Sequence, residues 1–295
     1  MKNVSKIKRK GYFLWVLFAI LVLYSLSMIC LVLWGFTSTF KDYYGDFLTN
    51  VSGFPKKWTF VNYQTALESF VYNVSSEKGQ FDVYIEGMYF NTIIYSLGCG
   101  IMATFIPCCV SYVAVKFKFK FLKIYYPIVV ITMALPIAGS LPAEISMAKS
   151  LNIYDEIWGV WLMRANFLGM YFLVFYAIFQ SVPDSYIEAA RVDGAGNFMI
   201  FIRIMLPLVK NTFFTVLLIQ TITAWNEYQV PLVFLPSHPT LAMWLFKFSL
   251  SSKTELSSIP MKVTGCMLLF IPIFTVFIIF NKRLLGNVSL GGLKG

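Results

Sequence analysis

Few residues in this chain of 295 are of a type that does chemistry, and their spacing decides which chemistry to set aside. The single histidine, His238, sits between Pro236 and Pro239 in a loop, and one imidazole builds no metal cluster. The cysteines Cys30, Cys99, Cys108, Cys109 and Cys266 all fall inside apolar runs. There they act as small hydrophobes, and their spacing gives neither a disulfide frame nor a zinc site. No Gly-x-x-x-x-Gly-Lys-Ser/Thr phosphate loop is present, so the chain has no means of its own to hydrolyse a nucleotide. What remains are charged and amide side chains within apolar stretches: Glu144, Arg164 and Glu227, with Asn166, Gln220, Asn226 and Gln229. Charge at bilayer depth is costly and points to function by default. Glu144 and Arg164 are expected near span ends, where they pair or snorkel. Asn226 and Glu227, beside Trp225 and Tyr228, offer the amide, carboxylate and aromatic groups that hold polyhydroxylated solutes. The same residues would equally serve to pack a helix against a neighbouring subunit, so these four are candidate substrate-pathway residues with both readings open.

A second constellation runs from Ser181 to Pro207 and is polar at its start: Ser181-Val-Pro183-Asp184, then Glu188-Ala189-Ala190, Asp193-Gly194-Ala195-Gly196, and Ile204-Met-Leu206-Pro207. Ser181 suits a helix cap, Pro183 its first turn, and Asp184 the positive end of the dipole. The pattern predicts a helix of about three turns ending at Gly194 or Gly196, glycines that accept the left-handed conformation. Ala189 and Ala190 leave a shallow face that another surface can approach. The apolar run from Phe198 to Ile204 then predicts a short helix along the membrane surface, with Leu206-Pro207 turning the chain into the next span.

The elements that position these residues follow from hydropathy. The chain is 58% hydrophobic and only 13% charged, where a soluble domain carries about 25% charged residues. A run of about 20 apolar residues crosses the hydrocarbon core. Six such segments are read, at about 12–36, 89–115, 124–146, 157–180, 208–235 and 262–281, the third interrupted by Pro136, Gly139 and Pro142. The first is too long for the core of a cleaved signal peptide. Fifteen of the 24 basic residues fall on one side, against Asp184, Glu188 and Asp193 of the acidic ones. They comprise Lys2, Lys6, Lys8, Arg9 and Lys10, Lys116, Lys118, Lys120 and Lys123, Arg191, Arg203 and Lys210, and Lys282, Arg283 and Lys294. That bias makes both termini cytoplasmic. It also accounts for the net charge of +10 without any nucleic-acid partner. The segment from Thr37 to Gly87 becomes an outer loop, a cap or docking surface; its Asn50 and Asn73 sequons would matter only in a secretory compartment.

The spacing Glu-Ala-Ala, three residues, Gly, nine residues, Ile-x-Leu-Pro resembles the EAA motif of binding-protein-dependent ABC importer permeases. Glu188, Ala189, Ala190, Gly194, Ile204, Leu206 and Pro207 fill every signature position, and Asp193-Gly194-Ala195 matches the family's Asp-Gly-Ala. Ala224-Trp225-Asn226-Glu227-Tyr228 with Pro231-Leu232 resembles a segment of the carbohydrate-uptake permeases. Phe54-Pro55 to Asn62-Tyr63 resembles their first outer loop, and Gly291 to Gly295 the glycine-rich tail of the maltose-type short-tail subunits. Residues 64–87 depart from the family in being longer and more polar.

The resemblance implies an all-α membrane protein with six transmembrane helices, a type I (MetI-like) ABC importer permease core at 87–281 and a cytoplasmic coupling helix in the loop 181–207, all in one permease domain over 1–295. It implies a non-catalytic permease subunit in the cell membrane. Its expected partners are a second homologous permease subunit in a heterodimer, two ATPase subunits that hold ATP and Mg, an extracytoplasmic solute-binding protein, a carbohydrate and the lipid bilayer. The chain itself is expected to bind no cofactor and no metal. Glu188 would make a charged contact with the ATPase, and Ala189, Ala190 and Gly194 would let it approach. An ion-gradient-driven secondary transporter is the alternative. No internal repeat supports it, and a coupling loop would have no role in one. An intramembrane enzyme would need convergent His, Asp or Ser groups that the sequence does not supply.

Overall fold

A computed structural model of the chain describes residues 2–76, 79–117, 124–135, 139–250 and 258–285. Lys118, Lys120, Lys123, Pro136, Lys294 and the tail from Gly291 to Gly295 lie outside them. The order of elements is α1 (Lys2–Ser38), a π turn (Tyr43–Phe47), α2 (Val61–Ser69), β1 (Val71–Ser76), β2 (Gly79–Tyr84), α3 (Ile85–Lys116), α4 (Tyr125–Ala134), α5 (Leu141–Ser150), α6 (Ile157–Met163), α7 (Met170–Ser181), α8 (Ser185–Val192), α9 (Asn197–Ile200), a π turn (Phe201–Met205), α10 (Leu206–Asn226), α11 (Gln229–Phe234), α12 (Leu241–Ser249) and α13 (Ile259–Leu285). They divide into two compact units, Met1–Phe70 with Phe248–Phe270, and Val71–Lys247 with Ile271–Gly295.

In the first unit, α1 carries no charged residue from Gly11 to Ser38 and exposes apolar side chains around its whole circumference. Such a helix is a membrane span rather than a core element. Gly35 lets it meet α13, since a Cβ there would stand 3.0 Å from Met267 Cε. The loop that follows is held by its own polar groups. Asp42 Oδ2 accepts from Gly45 N at 2.6 Å, capping the first π turn. Buried Lys41 donates to the carbonyls of Asn50 (2.6 Å) and Val51 (3.2 Å), so its charge is solvated by backbone oxygens.

The second unit opens with a two-stranded antiparallel hairpin in the register Val71↔Tyr84 to Ser76↔Gly79. The fold is therefore helical with a small sheet rather than all-α. Within the longer polar stretch at 64–87, residues 71–76 and 79–84 form this hairpin, whose β1 buries Tyr72 and Val74. Lys247 of α12 donates to the Tyr72 hydroxyl and Trp244 Nε1 to the Val71 carbonyl, fixing β1 on that helix.

α3 is the central post of this unit. Two glycines set its neighbours: a Cβ on Gly98 would overlap the Trp161 indole of α6, and one on Gly100 would press on Thr221 of α10. Small residues let membrane helices approach where apolar burial alone supplies no drive. Buried Ser111 shares its hydroxyl between Pro107 O (2.6 Å) and Phe172 O (2.9 Å), tying α3 to α7.

Among the described residues, four helices are long and apolar enough to cross a membrane: Gly11–Ser38, Ile85–Lys116, Asn197–Asn226 and Ile259–Phe280. The segments expected at 124–146 and 157–180 are not single helices. The first is broken between α4 and α5, with Gly139 at φ +81. The second is broken between α6 and α7, where Asn166 Oδ1 accepts from Leu168 N at 2.7 Å and forms a local turn. An Asn side chain that mimics a backbone acceptor competes with the helix, which is why the chain leaves it there. The fifth span also differs from expectation. It starts at Asn197 and stops at Asn226, with α11 separate beyond it. Leu206-Pro207 makes no turn, because Pro207 sits in the first turn of α10 directly after the π turn, and the helix runs through. Proline removes a donor and crowds the carbonyl four residues before it, here in the π turn, whose wider register takes up that conflict.

Candidate functional site

The 181–207 loop folds as a two-faced helix. α8 is eight residues long, about two turns rather than the expected three. Ser181 does not cap it; its hydroxyl donates to Ile178 O at 2.7 Å and closes α7. Asp184 is the N-cap residue, but its carboxylate accepts from Lys116 Nζ at 2.8 Å instead of a backbone amide. Lys116 also donates to Val182 O at 2.6 Å and is itself nearly buried, so the last residue of α3 clamps the entry to α8. At the other end Gly194 has φ +79, with Gly194 N bonded to Arg191 O (3.0 Å) and Ala195 N to Ala190 O (2.9 Å). This pair of bonds is a Schellman stop, which uses the left-handed glycine to satisfy carbonyls at the helix end.

Burial separates the two faces. Ile187 and Ala190 enter one cluster with Tyr112, Phe175, Phe179, Phe201 and Met205, and Ala195 packs against it. Tyr112 is the hub, its ring 5.6 Å from Phe179 and 4.9 Å from Phe201. The helix is thereby bonded to α3, α7 and the start of the 197–226 span together. The opposite face carries Glu188, Ala189, Asp193 and Gly194, all exposed, flanked by Val192 at 87% and Phe198 at 78% exposure. Glu188 has no partner among the described residues. Ile204 and Leu206 pack against the same buried cluster, and Pro207 is exposed. Of the motif residues, Ala190, Ala195, Ile204 and Leu206 thus anchor, while Glu188, Ala189, Asp193 and Gly194 face outward. A Cβ on Gly194 meets nothing within 4 Å in this chain, so the requirement for glycine here is conformational.

The second group lies at the C-terminal ends of α6 and α10. Arg164 ends α6 and Glu227 ends α10, and Arg164 Nη2 stands 3.6 Å from Glu227 Oε2. Glu227 Oε1 accepts from Gln229 N at 3.0 Å and starts α11. Trp225 is buried, Asn226 bonds back to Ile222 O at 2.9 Å, and Tyr228 stacks on Phe246 at 4.3 Å. Glu144 is on α5 and not in this pair. Beside Arg164, the break at 164–169 borders a cavity of about 230 Å³ whose walls include Ala103, Pro107, Asn166, Tyr171 and Gln220. None of the four candidates 225–228 lines it. Arg164 and Gln220 were legible as polar residues in apolar runs, but the cavity between them depends on the helix break. Among the described residues no group of three His, Cys, Asp or Glu is placed to hold a metal.

Comparison with known proteins gives a consistent assignment. The chain is 26% identical over 242 residues to the arabinooligosaccharides transport system permease protein AraQ of Bacillus subtilis, covering 82% of this chain and 81% of that protein. It is 23% identical over 281 residues to the diacetylchitobiose uptake system permease protein NgcG of Streptomyces coelicolor, covering 94% and 87%. The sn-glycerol-3-phosphate transport system permease protein UgpE of Yersinia enterocolitica is 29% identical over 146 residues, half of each chain. The fold matches a chain from the crystal structure of a bacterial ABC transporter involved in import of the acidic polysaccharide alginate, with TM-score 0.70 and 22% identity over 90% of this chain and 93% of that one. Residues 107–289, which contain α8, both broken-span termini at 164 and 227 and the cavity residue Gln220, match the family profile, and the chain belongs to the binding-protein-dependent transport system inner membrane components.

Proposed function

We propose that this chain forms half of the translocation pathway of an ATP-driven importer for a sugar or oligosaccharide. α8 acts as the coupling helix that receives the ATPase stroke. The two-faced packing of α8 carries the reading. A helix bonded through Ile187 and Ala190 to three span-bearing elements transmits a push, and an exposed Glu188-Ala189 face beside bare Val192 and Phe198 suits a protein surface. The assembly comprises a second homologous permease, two ATPase subunits carrying ATP and Mg²⁺, and an external solute-binding protein. This chain contributes no catalytic group and holds no cofactor. Closure of the ATPase pair draws two such helices together and rocks the attached spans between inward-open and outward-open states. The chain crosses the membrane six times with both termini in the cytoplasm, the third and fourth crossings being the broken pairs α4–α5 and α6–α7. Protein neighbours or water satisfy their free backbone groups. The sugar class is supported by the arabinooligosaccharide and diacetylchitobiose permeases among the relatives.

The decisive test replaces Gly194 with tryptophan in the assembled importer. Membrane insertion is expected to be normal and ATP-dependent uptake lost. Normal uptake by this variant would remove α8 from coupling. Uptake that persists with the ATPase subunits inactivated would instead favour an ion-gradient-driven transporter.

A further inference from the structure

The interruption of the fourth apolar segment at 164–169 needs a physical reason. The amides of Ala165, Asn166, Leu168 and Gly169 close local turns there, and non-helical backbone of this kind persists in a membrane only where it is buried in protein or lines a water-filled cavity. The cavity of about 230 Å³ lies at this break, with Arg164 and Asn166 on one side and Gln220 of α10 on another. Tyr171 and Phe172 supply ring surface, and Ala103 and Pro107 of α3 form a small-residue stretch of the wall. In secondary transporters, discontinuous helices that open polar groups into such a space form the solute's site, and the same physical need for a polar neighbour applies here.

Charge and size narrow the occupant. Arg164 is balanced by Glu227 at 3.6 Å through one guanidinium nitrogen, and its side chain remains 40% exposed. A guanidinium carries five N–H donors, so donors are left over for hydroxyl oxygens without breaking the pair. An anion would have to displace Glu227, leaving a carboxylate uncompensated among apolar spans. Drug-sized sites run to about 300–1,000 Å³, so this space suits a single ring and not an extended chain. We infer that the cavity is a solute subsite on this subunit that receives one uncharged sugar ring, with Arg164 and Gln220 as its hydrogen-bonding residues. Longer solutes present one unit to it at a time. The walls belong to α3, the start of α7 and α10, and α7 and α10 are the elements that α8 ties together, so the site opens and closes with the coupling loop. This inference rests on the importer reading above.

The test uses the complete importer in proteoliposomes: both permeases, the ATPase subunits and the binding protein. The probes are maltotriose, arabinotriose and N,N′-diacetylchitobiose as uncharged solutes, and sn-glycerol 3-phosphate and a uronic-acid dimer as anions. Wild type is expected to import at least one uncharged probe. For that probe Gln220→Ala raises KM about fivefold, the loss of one hydrogen bond, with KM read separately from kcat. Ala103→Phe fills the cavity and lowers uptake about tenfold or more, a loss equivalent to at least one such bond. Gln220→Ala only removes volume and decides the matter if the Phe variant fails to assemble. Unchanged KM in Gln220→Ala would take the cavity off the route while leaving the importer reading intact. Import confined to the anionic probes would overturn the uncharged-ring assignment. Import of none of the probes by wild type would overturn the carbohydrate reading itself, and this subsite with it.

Discussion

Gly194 holds φ +79, a backbone region where a Cβ costs about 1–2 kcal/mol. Gly194→Ala is therefore expected to loosen the Schellman stop and lower coupled ATPase activity, while Gly196→Ala, at φ −71, leaves it unchanged; solute-stimulated ATP hydrolysis distinguishes them. Lys116 makes the converse case. Its two bonds, to Val182 O and Asp184, are made by a nearly buried ammonium, and Lys116→Met should detach the entry to α8. Faster protease cleavage at 182–186 in membrane vesicles would register that loss. Motif residues such as Glu188 and Gly194 were legible because their chemistry is local: a charge on a short helix, a glycine at its end. Lys116, Gly98 and Gly100 were not, since each matters through a partner sixty or more residues away, Asp184, Trp161 and Thr221 respectively.

Among the elements, α8 depends on one apolar anchor. Ile187→Ala removes buried methyl groups from the cluster around Tyr112, at a cost of about 2–4 kcal/mol. The helix should then keep its Schellman stop but lose its attachment, so uptake falls while insertion stays normal; a cysteine at Ala189 would show altered crosslinking to the ATPase. Arg164→Leu leaves Glu227 without its cation and is expected to lower the yield of folded protein, with Arg164→Leu/Glu227→Leu recovering part of it. Melting of the purified double variant above the single one is the readout. The existence of these elements followed from hydropathy, but their continuity did not. An apolar run from 157 to 180 reads the same whether or not Asn166 turns the chain, because the choice lies in one side-chain bond to Leu168 N. The stop at Asn226 is equally hidden, as Glu227 leaves the helix to bond Gln229 and face Arg164.

For the whole molecule, the distribution of Lys and Arg predicts a cytoplasmic α8 and an external hairpin. In a background lacking the five native cysteines, Ser75→Cys should react with an impermeant maleimide in intact cells and Ala189→Cys only after permeabilisation. The reverse pattern would invert the topology. The overall class was readable from composition and one motif, whereas the hairpin came from a polar stretch without a strong period. The π turn at Phe201–Met205 has a further bearing on how this chain moves. It winds one residue more than an α turn, and each residue of an α-helix advances the azimuth by about 100°. Residues before it, which pack on α8, and residues after it, which present Thr221 to Gly100 and Gln220 to the cavity, are therefore out of phase with a single ideal helix. Tightening that turn by one residue would spin the span about its own axis without shortening the loop. On the proposed function, the link between α8 and the cavity is thus a twist as much as a lever.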